Sequence, residues 1–189
     1  MTLQPRTMIC ALEPDARQRP IGKLEAHRRG VLHRAISVFV NDGRRTLLQR
    51  RAAGKYHSGG LWANACCSHP AWAEPAEVAA GRRLAEELGV SLSPDHVGVT
   101  EYRVAVGAGM VEHERVDMFV ATVEPGSLVV KPDADEVAET WWAGPEALRD
   151  ALERDADRFA PWFRIYLARW PDLPFLDAEA AIERLSAAA

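Results

Sequence analysis

Trp62-Ala63-Asn64-Ala65-Cys66-Cys67-Ser68-His69-Pro70, followed after a short linker by residues 74–90, is the stretch on which the reading of this chain turns. Taken as a strand, its first part alternates its side chains, so Cys67 and His69 look to one face and Cys66 to the other. A thiol and an imidazole two residues apart then enter the same cavity. The second part reads as a helix. Pro75 suits a first helical position, Val78, Leu84, Ala85 and Leu88 fall near one face, and Gly89 stands where a helix stops. Arg82, Arg83, Glu86 and Glu87 fill the remainder. By themselves they describe two i,i+4 ion pairs on a wet surface, worth about 0.3 kcal/mol each.

Composition narrows the classes. With 189 residues, 48% of them hydrophobic, the chain can bury the core of one domain. Its 23 basic and 27 acidic residues leave a formal charge of -4, so no basic excess points to nucleic acid or to an anionic membrane. An anionic small molecule needs only a few local cations. The three cysteines are odd in number and two are adjacent, which argues against a disulfide framework and for a reducing, cytoplasmic setting. Residues 8–12 are only a brief apolar patch, and no uninterrupted apolar run is long enough to cross a bilayer.

Along the chain, Pro5, Pro14 and Pro20 make residues 1–22 read as an irregular lead-in to a single domain at 23–189. His27 and His33 precede a β-rich, nearly all-apolar run at 34–40, the pattern of a central strand covered on both faces. Asn41-Asp42-Gly43 supplies hairpin chemistry and 45–51 the returning strand. Arg50, Arg51 and Lys55 cluster before the Gly59-Gly60 turn. A further strand at 97–106 contains Tyr102, and Gly107-Ala108-Gly109 turns into a strand at 110–123. There Glu112 and Glu114 share the inward row with Val116 and Met118, while His113 lies on the polar row. Partly buried acids need a cation, a hydrogen-bond partner or a raised pKa. An acidic loop at 133–136, a short strand around Thr140-Trp141-Trp142, helices from Pro145 and Pro161, and a helical 177–188 complete the pattern. Strands and helices in this order predict an α/β sandwich with a mixed sheet.

The spacing Ser68-x5-Glu74-x7-Arg82-Arg83-Leu84-Ala85-Glu86-Glu87-Leu88-Gly89-Val90 resembles the Nudix box, in which helix carboxylates hold a divalent cation against a diphosphate. Ser68 stands where that pattern has glycine, and Arg83 where it has its first helix glutamate. The resemblance therefore implies a Nudix-like scaffold without the hydrolases' full metal set.

Taken together, His27, His33, the segment 64–70, Tyr102 and Glu112-His113-Glu114 resemble the type I isopentenyl-diphosphate isomerases. The likeness runs from about residue 23 to 166. It implies an enzyme moving a double bond between isopentenyl and dimethylallyl diphosphate through a carbocation-like species. In that resemblance Cys67 and Glu114 are the acid–base pair, Tyr102 bonds near the glutamate, and Trp162 offers its face to the cation. An indole face stabilises a desolvated cation by about 2 kcal/mol. Position and alternation favour Cys67 over Cys66. The resemblance further implies one metal on His27, His33, His69, Glu112 and Glu114, where imidazole tilts the choice from Mg2+ toward Mn2+ or Zn2+. A second cation, Mg2+, would bridge the diphosphate to Glu87 and the Cys67 carbonyl. Lys23, Arg51, Lys55 and Arg83 would grip its oxygens. Two rivals remain: a Nudix pyrophosphohydrolase of a nucleotide-type diphosphate, and a binding module that kept the fold without turnover.

Overall fold

The computed structural model describes residues 8–187. Strand β3 (His33–Asn41) is the axis of the fold, and eight of its nine residues are buried. It runs parallel to β8 (Met110–Thr122) from His33↔Glu114 to Asn41↔Thr122 and antiparallel to β6 (Cys66–Ser68). β8 forms a long hairpin with β7 (Asp95–Gly107), closed through Gly107, Ala108 and Gly109, all at positive φ. β4 (Thr46–Arg51) meets β3 only at Asn41↔Thr46, then pairs with β5 (Trp62–Asn64) and β9 (Val137–Ala143). The sheet is therefore mixed.

Alternation along β3 builds two apolar layers. Ile36, Val38 and Val40 pack with Cys66 and with Ala79, Ala80, Leu84 and Leu88 of α2 (Ala76–Leu88). Ala35 and Phe39 share the other layer with Val116 and Met118 of β8 and with Trp162, Phe163 and Tyr166 of α4 (Pro161–Arg169). Each such fully buried large side chain contributes about 2 kcal/mol. Leu148 of α3 (Pro145–Arg154) and Leu185 of α5 (Ala178–Ser186) close that side. Helices thus cover both faces of the sheet, an α/β sandwich.

α2 ends at Gly89, whose φ is 65°. A Cβ there would lie 2.5 Å from the Lys131 carbonyl oxygen, so the stop and the loop packed on it both require glycine. The buried stripe of α2 is Ala76, Ala79, Ala80, Leu84, Glu87 and Leu88, whereas Val78 and Ala85 are exposed. Val78 is six residues from Leu84, about 240° around the helix, so the two cannot share a face. Pro75 stands just outside the helix in extended conformation.

The expectation of an irregular lead-in is corrected over residues 8–22. β1 (Met8–Leu12) and β2 (Gln18–Gly22) form a hairpin that joins the sheet beside β3 through Ala11↔His33. Pro20 is tolerated because β2 is the edge strand, where a missing N–H breaks no ladder. Pro5 lies outside the described residues. His27 sits on a short helix, α1 (Lys23–Arg29), whereas His33 opens β3.

Candidate active site

Strand alternation at β6 separates the two adjacent cysteines. Cys66 is fully buried against α2, while Cys67 lies on the opposite face, paired in register with Ser37. The Cys67 thiol is 3.4 Å from the Ser37 hydroxyl and donates to Asn64 Oδ1 at 3.0 Å. Asn64 is itself fixed: its Nδ2 donates to Ser37 Oγ at 2.9 Å, to the Val38 carbonyl at 2.8 Å and to the Cys66 carbonyl at 3.2 Å.

Two residues on, His69 enters a group of imidazoles. His33 Nε2 is 3.1 Å from His69 Nε2, which is 2.9 Å from Glu114 Oε1. The same carboxylate oxygen lies 3.4 Å from His33 Nε2 and 3.9 Å from His27 Nε2. His27 and His33 donate through Nδ1 to the Lys23 and Val31 carbonyls at 2.8 and 2.7 Å, which turns both Nε2 lone pairs inward. Ligand atoms of His27, His33, His69 and Glu114 all lie within 4.8 Å of one another. Several lone-pair acceptors converging in a buried space call for a cation, so this donor set fits a divalent metal. Glu112 lies to one side, grouped with His27 and His57.

Tyr102 of β7, opposite Glu114 in the hairpin, ties the two acids together. Its hydroxyl is 2.7 Å from Glu114 Oε2 and 3.0 Å from Glu112 Oε2. One hydroxyl proton serves one carboxylate, so the arrangement needs a proton on the other. Burial and the neighbouring Glu114 push Glu112 well above the usual carboxylate range. Burial also works to raise Glu114, but His69 and His33 beside it hold it well below that range. With no cation beside it, Glu112 is thus the acid that keeps a proton and Glu114 the carboxylate; a metal bound there would take that proton's place.

The same pocket is also lined by Lys23, Arg51, Lys55 and Arg83, and by Trp162. Arg83 reaches Glu87 at 2.6 Å and Glu136 at 3.3 Å, and Lys55 also pairs with Glu136. The two i,i+4 pairs expected on α2 form: Arg82–Glu86 at 2.9 Å and Arg83–Glu87. The second is not on a wet surface, because Glu87 is buried and accepts from Gln49 Nε2 at 2.8 Å. Arg51 stacks its guanidinium 5.2 Å from the Trp162 ring centroid. Burial, with Lys55, Arg83 and Arg51 nearby, brings Lys23 down to about 8. Four cations gathered round one pocket, partly offset by Glu87 and Glu136, suit a multiply charged anion.

The NUDIX domain is matched over residues 31–163. The chain is 54% identical over 155 residues to the isopentenyl-diphosphate Delta-isomerase of Cereibacter sphaeroides, covering 82% of this chain and 87% of that one. It is 52% identical over 155 residues to the enzyme of the same name from Dinoroseobacter shibae, covering 82% and 88%. The chain belongs to the isopentenyl-diphosphate Delta-isomerase family. Its fold is shared with a MutT NUDIX hydrolase from Burkholderia pseudomallei, at a TM-score of 0.57 and 20% identity, covering 74% of this chain and 98% of that one.

In this isomerase-family pocket, burial pushes the Cys67 thiol up to about 12, with Glu114 and Glu112 adding to the shift against the hydrogen bonds it shares with Ser37 and Asn64. The thiol therefore holds its proton at neutral pH. Burial, then the adjoining His33, brings His27 down to about 4, so its imidazole is neutral and ligand-ready. Sequence reading missed Tyr56, His57 and Ser68 on the pocket wall, and Glu136 beside its cations. Tyr56 and His57 stand in an irregular loop without periodicity. Only their chemical type, next to Lys55, marked them. Arg50, unlike Arg51 beside it, does not line the pocket and pairs with Glu139 at 3.1 Å. His113 stays off the cluster, 3.3 Å from the Gly30 carbonyl.

Proposed function

We propose that this protein interconverts isopentenyl diphosphate and dimethylallyl diphosphate by adding a proton to one face of the alkene and removing one from the neighbouring carbon. One observation carries the reading: a protonated thiol, Cys67, and an ionised carboxylate, Glu114, line a single pocket that Lys23, Arg51, Lys55 and Arg83 line as well. Protonating the terminal methylene leaves positive charge on the tertiary carbon. Loss of a proton from the methylene between that tertiary carbon and the oxygen-bearing carbon then turns its C–H electrons into the new, internal double bond. Cys67 and Glu114 are the pair that exchange these protons, with Tyr102 holding Glu114 in place, and the reverse reaction uses them in the opposite order. The Trp162 face stands beside the transient positive charge.

Lys23, Arg51, Lys55 and Arg83 hold the diphosphate oxygens. His27, His33, His69, Glu112 and Glu114 would hold a divalent metal, and this imidazole-rich set favours Mn2+ or Zn2+ over Mg2+. Bound there, the metal supplies positive charge that orients Glu114 and tunes its acidity. A Mg2+ ion accompanying the diphosphate would be met by Glu87 and the Cys67 carbonyl. Hydrolysis is disfavoured because Arg83 engages both Glu86 and Glu87, the helix acids a hydrolase would present to its metal. The substrate is then a small diphosphate, with no nucleic acid or membrane partner. The three cysteines, all free, suit a reducing cytoplasm, and no described helix is long and apolar enough to cross a membrane.

Incubation with isopentenyl diphosphate in deuterated water, with and without chelator, tests this. Metal-replete protein is expected to release dimethylallyl diphosphate carrying deuterium. Phosphate release without isomerisation, or no product at all, would overturn it.

A further inference from the structure

His57 is a fourth imidazole in the site. It is buried, and its ring stacks on that of His27 with centroids 5.3 Å apart and planes 25° from parallel. On one side its Nδ1 is 3.3 Å from the Ser58 hydroxyl, and its carbonyl accepts from Arg51 at 3.3 Å. On another, its ring edge meets Trp162 at 5.9 Å. These contacts fix the ring so that Nε2 faces Glu112.

That approach is too long for a hydrogen bond. His57 Nε2 is 3.5 Å from Glu112 Oε1, whereas an N–H···O bond spans about 2.7–3.2 Å. Two neighbouring atoms bound at about 2.1 Å to one six-donor cation lie about 3.0 Å apart, so this pair would draw in by about 0.5 Å on binding. His33 Nε2 and Glu114 Oε1, at 3.4 Å, show the same spacing on the other side of His27. His27, His57 and Glu112 place their ligand atoms within 4.8 Å of one another, as His27, His33, His69 and Glu114 do. His27 is common to both groups, and because its Nδ1 donates to the Lys23 carbonyl, Nε2 is the one ligand atom it has to offer. A ring nitrogen has one lone pair, so two metals cannot both use it.

We propose that His57 is a ligand of the metal, forming with Glu112 a second wing of the donor set that closes on the same cation across His27. This rests on the reading of His27, His33, His69 and Glu114 as a metal centre. It gives the cation four imidazoles and two carboxylates, a set that selects Co2+ or Zn2+ over Mg2+ more sharply than three imidazoles would.

Full-length protein stripped by chelator and loaded with Co2+ provides the test, since each coordinated imidazole shows one hyperfine-shifted, exchangeable ring N–H proton signal. Wild type is expected to bind one Co2+ with four such signals, and His57→Gln to show three with affinity weakened on the order of tenfold or more. His33→Gln serves as the comparison that must also weaken binding, and unchanged apo-protein melting shows that each variant folds. Three signals in wild type, two Co2+ per chain, or unaltered affinity in His57→Gln while His33→Gln loses it, would overturn the role of His57 and leave the metal centre standing. No binding by wild type would overturn both.

Discussion

Ser37 and Cys67 face each other across the β3–β6 pair, hydroxyl to thiol at 3.4 Å, while Cys66 points through the sheet into the layer beneath α2. The two adjacent thiols therefore differ in kind. Cys67→Ala is expected to lower kcat by at least about a thousandfold, the scale of a lost acid–base group, with little change in melting temperature. Cys66→Ala should leave kcat within about twofold and instead cost about 1 kcal/mol from the small cavity beside Leu84. Steady-state kinetics and thermal melts of both variants check the contrast, and a silent Cys67→Ala would refute the assignment.

Asn64 stabilises the strand crossing that presents this thiol. Its amide donates to three acceptors, including two carbonyls, in a fully buried position. Asn64→Ala strands those groups, so a loss of about 2–3 kcal/mol is expected, together with a fall in kcat as Cys67 loses its acceptor. Urea unfolding gives the first number and turnover under saturating substrate the second.

Lys23 links diphosphate binding to pH. Its ammonium, ordinarily near 10.5, is brought to about 8 by burial and by Lys55, Arg83 and Arg51. The folded chain thus releases this proton before the unfolded chain does. Its contribution to stability consequently rises with pH between about 8 and 10.5, because the unfolded state there binds more protons. Binding runs the other way. An anion prefers the charged lysine, so the affinity for isopentenyl diphosphate should weaken as pH rises through about 8. Kd measured across that range in wild type and in Lys23→Met, where the dependence should flatten, decides the point.

Arg83 serves the ligand and the protein at once. It neutralises buried Glu87 and reaches Glu136; burial works against its charge, but these two carboxylates outweigh it and keep the guanidinium firmly charged. Arg83→Met should raise KM for the diphosphate by on the order of tenfold or more and also destabilise the fold by about 3 kcal/mol, through the uncompensated Glu87. Adding Glu87→Gln is expected to restore most of the stability and none of the affinity. Recovery of both would show that Arg83 never touches substrate.

Gly89→Ala tests the end of α2. At φ 65°, with a Cβ 2.5 Å from the Lys131 carbonyl, the variant should lose more than about 1 kcal/mol. A chemical denaturation curve like that of wild type would refute the packing argument.

Much of this molecule was legible because strands repeat every two residues and helices every 3.6, rules that act between near neighbours. Those rules separated Cys66 from Cys67, put Glu112 and Glu114 on one inward row, and marked β3 as covered on both faces. Applied strictly, the helical repeat also excludes Val78 from the Leu84 face, as the buried stripe of α2 shows. The same rules passed over the hairpin of β1 and β2, whose edge position beside β3 depends on pairing with distant residues. What no local rule contains is the convergence itself. His33 and His69 are separated by 36 residues and His69 and Glu114 by 45, yet parallel pairing of β3 with β8 and antiparallel pairing with β6 bring them within 3.4 Å. His57, in a loop without period, acquires its neighbours only from that assembly. The sequence alone determined which side chains could do acid, base and ligand chemistry; the pairing of strands far apart in the chain decided which of them meet.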